Sequence, residues 1–107
     1  MNKNPHFKAT LTYFSTADGG IVTPVSSGFR TSIRFSYDHK EYIANQTFLE
    51  TELVFPGDIV SADIILLDPD ENLERIYNGL DFDLLINSKT IGSGLITHLY
   101  PLKDKKR

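Results

Sequence analysis

Histidines and carboxylates are the residues of this chain that could bind a metal. The three histidines, His6, His39 and His98, are far apart, and none has another histidine or a carboxylate pair at metal-ligand spacing. The acidic stretch 68–72 lacks the alternating oxygen ligands, central glycine and terminal glutamate of a calcium loop. We therefore expect no metal site and no cofactor, and we interpret residues 68–72 as a solvated turn.

Acid–base or nucleophilic catalysis has equally little support. Asp81 and Asp83 would point to the same side of a strand, but paired carboxylates need a cleft that shifts one pKa. Their alternation with Phe82 and Leu84 indicates an exposed strand face instead. The chain contains no Gly-x-Ser-x-Gly elbow and no glycine-rich loop ending in Gly-Lys-Ser or Gly-Lys-Thr. We therefore expect neither an enzyme nor GTP binding.

A small set of basic residues could contact RNA. Arg30 and Arg34 are predicted to share one strand face, with Lys40 in a nearby hairpin and two tyrosines, Tyr37 and Tyr42, beside them. Basic grooves with aromatic platforms bind single-stranded nucleic acid. The net charge of −3 argues against a broad electrostatic attraction to nucleic acid. RNA contact through these three basic residues is therefore an alternative hypothesis.

The elements that must position these residues are predicted to be strands. Phe7, Ala9, Leu11 and Tyr13 alternate with polar residues, and similar period-two runs recur along the chain between turn residues. Short strands at this spacing are typical of a sandwich or a barrel. The nearly continuous apolar run 59–67 predicts a strand buried on both sides. One helical turn is possible within residues 69–79.

Length and composition indicate one ordinary globular domain. The chain has 107 residues, of which 40% are hydrophobic and 23% charged, and it contains no cysteine. It has no secretory-type apolar start and no apolar run long enough to cross a bilayer, so we expect a cytoplasmic protein without a membrane partner. The predicted organisation is a flexible N-terminus (1–6), one β-barrel domain (7–100) and a basic C-terminal tail (101–107).

Four elements in order carry a family resemblance. They are Phe7, Ala9 and Leu11; Gly19-Gly20, Thr23-Pro24 and Gly28-Phe29-Arg30; Pro56-Gly57-Asp58; and Thr90-Ile91-Gly92-Ser93-Gly94. Together they resemble the third domain, the C-terminal β-barrel, of the elongation factor Tu family of translation GTPases. The resemblance extends from about residue 7 to residue 99.

This resemblance implies a fold and a set of partners. In the parent factor the domain is a six-stranded antiparallel β-barrel that holds no nucleotide, packs on the other two domains, touches the T-stem of aminoacyl-tRNA and meets the nucleotide exchange factor. Here Ile21-Val22 replaces the Arg-His pair that helps to hold tRNA, and Thr31-Ser32 replaces Pro-Gln. We therefore expect tRNA to bind weakly, if at all.

The leading hypothesis is a stand-alone, non-catalytic interaction module that binds a translation factor, an exchange factor or a second copy of itself. The predicted contact residues lie in the connection between the first long strands: Ile21, Val22, Pro24, Val25 and Phe29. Their aliphatic character predicts exposed apolar surface, unless Ile21 or Val22 folds back onto the barrel end. The alternatives are an RNA-binding translation accessory and an immunity-type protein that binds one effector. The pair Gly19-Gly20 is expected where backbone dihedrals are positive or two chain segments come close, and a β-branched residue at Gly20 would be strained if its φ is positive.

Overall fold

A computed structural model describes residues 4–67 and 75–101. Its strands, in chain order, are β1 (Phe7–Tyr13), β2 (Val25–Ser26), β3 (Phe29–Phe35), β4 (Tyr42–Phe48), β5 (Leu53–Val54), β6 (Ile59–Leu66), β7 (Asp81–Ile86) and β8 (Lys89–Leu99). Six of these strands close a barrel in the order β1-β6-β4-β3-β7-β8, and every neighbouring pair is antiparallel. Strands β2 and β5 form a separate two-stranded sheet. The predicted all-β, six-stranded antiparallel barrel is confirmed.

Some predictions fall on residues that the structure does not describe. Of the predicted basic tail (101–107), only residue 101 is described. Of the predicted flexible N-terminus (1–6), residues 1–3 are outside the described part. The acidic stretch and most of the possible helical turn fall within residues 68–74, which are also outside the described part. In the described part, no helix is long and apolar enough to cross a membrane.

Alternation of side chains along each strand builds the barrel core. In β1, Phe7, Ala9, Leu11 and Tyr13 are almost completely buried, while the residues between them are half-buried. Successive strand residues point to opposite faces. The apolar side chains therefore face the barrel interior, and the polar side chains between them face outward. The period-two pattern therefore identified the inward face of β1 correctly.

Strand β6 differs from its prediction. Its apolar run indicated burial on both faces, but burial alternates along the strand from residue 61 onward. Ile59 is 67% exposed, whereas Ile64 is fully buried. The physical reason is that β6 lies between β1 and β4 in a closed barrel, where only one face of each strand turns inward. The prediction of two buried faces was wrong.

The end of the barrel where β1 begins is filled by aromatic rings, and we call it the aromatic end. Phe35 lies at its centre, with ring centroids 6.2 Å from Phe7 and 5.8 Å from Phe82. Tyr37 stacks on the same ring at 5.8 Å, and Tyr42 lies 5.6 Å away. Tilted and offset arrangements at these distances stabilise aromatic pairs beyond the area that they bury.

Two glycines of β8 make room for this packing. Gly92 and Gly94 are buried and face the barrel interior. A Cβ on Gly94 would lie 2.3 Å from the Phe82 ring, which belongs to its cross-strand partner, and 3.0 Å from Leu11. A Cβ on Gly92 would lie 2.5 Å from the carbonyl oxygen of Thr12. Both glycines are therefore required by close approach of neighbours.

Candidate functional site

The opposite end of the barrel, where β1 ends, is covered by the connection from residue 14 to residue 28, and we call it the connection end. Ser15 caps a single 3₁₀ turn (Thr16–Asp18), its side chain accepting a hydrogen bond from the Asp18 N–H at 3.2 Å. Gly19 then adopts φ 92° and donates its N–H to the Thr16 carbonyl at 3.1 Å. These bonds fold the start of the connection back on itself.

The two glycines of the pair are required for different reasons. Positive φ is found at Gly19, whereas Gly20 is not among the positive-φ glycines and is required by close approach of the backbone. A Cβ on Gly20 would lie 2.0 Å from the carbonyl oxygen of Phe14. Its N–H donates to the Ser15 carbonyl at 2.8 Å. The chain turns so tightly here that its own backbone occupies the space of a side chain.

Ile21 and Val22 have opposite environments although they are adjacent. Ile21 is 9% exposed and belongs to the hydrophobic core, whereas Val22 is 75% exposed. The Thr16 hydroxyl donates to the Ile21 carbonyl at 2.7 Å, which fixes the backbone at this point. Of the two alternatives that the sequence left open, Ile21 folds back onto the barrel end, and Val22 forms exposed surface.

An apolar groove of about 540 Å³ lies at the connection end. One wall comes from the connection and the start of β3, and it includes Ile21, Val22, Val25 and Phe29. These are four of the five predicted contact residues. The fifth, Pro24, is exposed and is not among the lining residues.

The second wall of the groove was missed by the sequence analysis. It comes from the hairpin between β7 and β8 and includes Ile86, Asn87, Lys89 and Ile91. Closure of the barrel brings this hairpin beside the connection, and the Phe14 N–H donates to the Ile91 carbonyl at 3.0 Å. No local sequence signal identifies this wall, because it depends on the pairing of the first barrel strand with the last.

A buried polar network supports the groove from inside the barrel. The Tyr13 hydroxyl donates to Oε1 of Gln46, and Nε2 of Gln46 donates to the Thr31 hydroxyl at 2.9 Å. All three side chains are buried, and burial raises the pKa of the Tyr13 hydroxyl above its ordinary value. The Tyr13 ring lies 6.5 Å from the Phe29 ring in the groove wall. The network is neutral and satisfied, so its role is to hold the wall in place.

The predicted RNA-contacting residues do not form a continuous basic surface. Arg30 and Arg34 share the outer face of β3, as predicted, but Nη2 of Arg34 lies 2.9 Å from Oδ2 of Asp83 in an ion pair. The ammonium group of Lys40 lies 5.1 Å from the Tyr42 ring centroid. The charge of Arg34 is therefore offset by a carboxylate.

The paired aspartates lie in a shallow polar depression on the barrel exterior. This depression of about 400 Å³ includes Asp81, Asp83, Arg34 and hydroxyls of β1 and β8. Both aspartates point outward, as predicted, and Asp83 is held by the ion pair. No group of three or more metal-ligating side chains occurs within residues 4–67 and 75–101.

The groove at the connection end is therefore the candidate site. It is concave, and its lining includes four predicted contact residues, of which Val22 is an exposed aliphatic residue. Ligand sites in proteins are typically concave and mostly apolar, with a few polar groups. No protein-family model matches the chain.

Proposed function

We propose that the protein is a non-catalytic interaction module that binds a protein partner through the groove at the connection end. The observation that carries this proposal is the 75% exposure of Val22 beside an apolar groove whose walls include Ile21 and Phe29. Exposure of an aliphatic side chain to water is unfavourable, so a partner that buries this side chain gains binding free energy.

Further apolar surface at the same end supports the proposal. Leu53, Phe55 and Ile59 are 45%, 50% and 67% exposed. They lie on β5, on the turn that follows it and at the start of β6. The Tyr13 N–H donates to the Asp58 carbonyl in this turn at 2.9 Å, which attaches the turn to the end of β1. The connection end therefore exposes apolar side chains from two separate parts of the chain.

We further propose that the chain is a counterpart of the third domain of elongation factor Tu. The closed six-stranded antiparallel barrel is the fold that the sequence resemblance implies. Ile21 and Val22, which stand where the family has Arg-His, lie in one wall of the groove. On this proposal the partner is a translation factor, an exchange factor or a second copy, in the cytoplasm.

Partner capture by matched variants tests the proposed function. Val22→Asp places a charge in the groove, and Ile43→Asp places one at a 52% exposed position on the outer face of β4. We expect Val22→Asp to abolish co-purification from native extract, or self-association in sedimentation experiments, while Ile43→Asp retains both. Melting temperatures should stay close to that of the parent. Unchanged capture by Val22→Asp would contradict the proposed site.

RNA binding remains the alternative proposal and is less well supported. The ion pair between Arg34 and Asp83 neutralises one of the predicted phosphate contacts, and the net charge is −3. Each lost phosphate contact weakens binding and flattens its salt dependence. A submicromolar affinity for aminoacyl-tRNA near physiological salt, lost in Arg30→Ala, would favour this alternative over the protein-binding groove.

A further inference from the structure

The groove contains a single charge. Among the residues that line it, Lys89 is charged and the others are apolar or uncharged. Lys89 begins β8 and is exposed, and its Cε lies 3.9 Å from the position that a Cβ would occupy on Gly19. The lysine side chain therefore runs beside the connection, with its ammonium group near the rim of the groove.

Lys89 forms no ion pair with a residue of the described part of the chain. The ion pair found in residues 4–67 and 75–101 joins Arg34 and Asp83, on the outer face of β3 and β7. The groove lining itself contains no carboxylate. An apolar groove with one cation at its rim is complementary to a ligand that has an apolar body and one negative group.

A C-terminal carboxylate is the negative group that lies nearest to an apolar side chain of a peptide. In an extended segment an acidic residue next to a buried apolar residue points away from the groove, and one two positions along shares its face but lies about 7 Å further along the chain. A C-terminal residue carries its side chain and its carboxylate on the same Cα. That one residue can place an apolar side chain between the two walls and a carboxylate at the rim.

We propose that the groove binds the C-terminal residue of a partner protein, with an aliphatic side chain packed between Ile21, Phe29 and Ile91 and the terminal carboxylate at Lys89. This inference rests on the proposed function and specifies its ligand. Lys89 acts as the group that distinguishes a chain end from an internal apolar segment. Because Lys89 is exposed, its contribution is modest, about a two- to fivefold preference.

Three capped peptides test the proposal by titration followed in amide NMR spectra. Ac-Gly-Ala-Leu with a free C-terminus is the proposed ligand type, and the same peptide with a C-terminal amide lacks only the charge. Ac-Leu-Ala-Glu with a C-terminal amide carries its carboxylate on a side chain. We expect the free acid to bind about two- to fivefold more tightly than its amide, with the largest shifts at Val22, Lys89 and Ile91.

Two lysine variants complete the test. Lys89→Met keeps most of the side-chain stem and removes the charge, so the free acid and the amide should bind it equally. Lys8→Met, on the outer face of β1 away from the groove, should keep the preference of the parent. Equal binding of acid and amide by the parent, a preference that survives Lys89→Met, tighter binding of the side-chain acid, or no binding of any peptide at millimolar concentration would overturn the proposal.

Failure of this inference can be told apart from failure of the proposed function. If the amide peptide binds as well as the acid and Val22→Asp abolishes both binding and partner capture, the groove is a protein-binding site without terminal recognition. If Val22→Asp leaves partner capture unchanged, the groove is not the interaction site. The two experiments therefore have separate readouts.

Discussion

The two ends of the barrel are closed in different ways. At the aromatic end, Phe7, Phe35 and Phe82 pack against one another and Tyr37 stacks over Phe35, so large side chains occupy the opening. At the connection end, a tightly turned backbone covers the opening, with Ile21 as its inward side chain. Closure by side chains fills space, whereas closure by a short backbone segment leaves a groove beside it.

The two ends also differ in the interactions that hold their buried side chains. The connection end has a buried hydrogen-bonded network of Tyr13, Gln46 and Thr31, while the aromatic end is packed by rings. Buried polar networks fix geometry through directional bonds, and apolar packing stabilises through area. The comparison teaches that the aromatic packing and the exposed binding surface lie at opposite ends of the barrel, which makes each end separately testable.

The largest effect is expected at the aromatic end. Phe35→Ala removes the ring that contacts four other aromatic rings and should lower the free energy of unfolding by about 4 kcal/mol. Urea denaturation measures the loss. If the two ends are separate, the variant that remains folded should bind partner or peptide as the parent does. Weakened binding by folded Phe35→Ala protein would show that the ends are coupled.

A second test compares the stability effects of substitutions at two adjacent residues of the connection. Ile21→Asp buries an unpaired carboxylate and should cost about 3 kcal/mol of stability. Val22→Asp, its matched control, should change stability by less than about 0.5 kcal/mol because the side chain is exposed. Thermal and urea unfolding of both variants provide the comparison. Equal stability of the two variants would contradict the burial of Ile21.

The backbone closure is tested at two glycines of the same connection. Gly20→Ala forces a Cβ against the Phe14 carbonyl and should destabilise the protein by about 2–3 kcal/mol. Gly28 has φ 94° with nothing within 4 Å of its Cβ position, so Gly28→Ala meets only backbone strain of about 1 kcal/mol. Denaturation midpoints measure both. A larger loss for Gly28→Ala would argue against the tight turn at Gly20.

A smaller effect than those of Phe35→Ala, Ile21→Asp and Gly20→Ala is expected in the polar network. Tyr13→Phe removes the donor to Gln46 and leaves a buried carbonyl oxygen without that partner, which costs about 1–2 kcal/mol. Because the Tyr13 ring also lies near Phe29, amide shifts around the groove should change as well. An unchanged spectrum at Phe29 together with unchanged stability would show that the network does not support the groove.

The barrel was predictable from the sequence because its cause is local. Phe7, Ala9, Leu11 and Tyr13 repeat at the strand period, and the turn at Gly57, which has φ 91°, stands where Pro56-Gly57-Asp58 predicted it. In that turn the Asp58 N–H donates to the Phe55 carbonyl at 3.0 Å. Strand period and turn chemistry act over a few residues, so both can be identified in a single sequence.

The second wall of the groove was not predictable, because it is brought into place by pairing of strands that are distant in the sequence. Ile86, Lys89 and Ile91 reach the groove only because β1 pairs with β8, as in the register Tyr13↔Gly92. The hairpin that carries them turns at Asn87 and Ser88, whose φ values of 53° and 66° match a tight two-residue turn. The sequence predicted the turn but not its neighbour across the barrel.

The burial of Ile21 was undecided for a related reason. Adjacent aliphatic residues in a connection do not show which of them points inward, because no regular period applies there. Two features determine the direction of the chain here. The Thr16 hydroxyl donates to the Ile21 carbonyl, and the Phe14 carbonyl oxygen lies 2.0 Å from the position that a Cβ on Gly20 would occupy. Both depend on backbone geometry that composition does not encode.

The inward glycines of β8 also constrain how this protein can diverge. Positions 82 and 94 are cross-strand partners that share one volume, since a Cβ on Gly94 would lie 2.3 Å from the Phe82 ring. A mutation to alanine at position 94 is harmful alone and becomes acceptable once the residue at position 82 has shrunk. The two sites are therefore epistatic, and descendants of this sequence should exchange them as a pair.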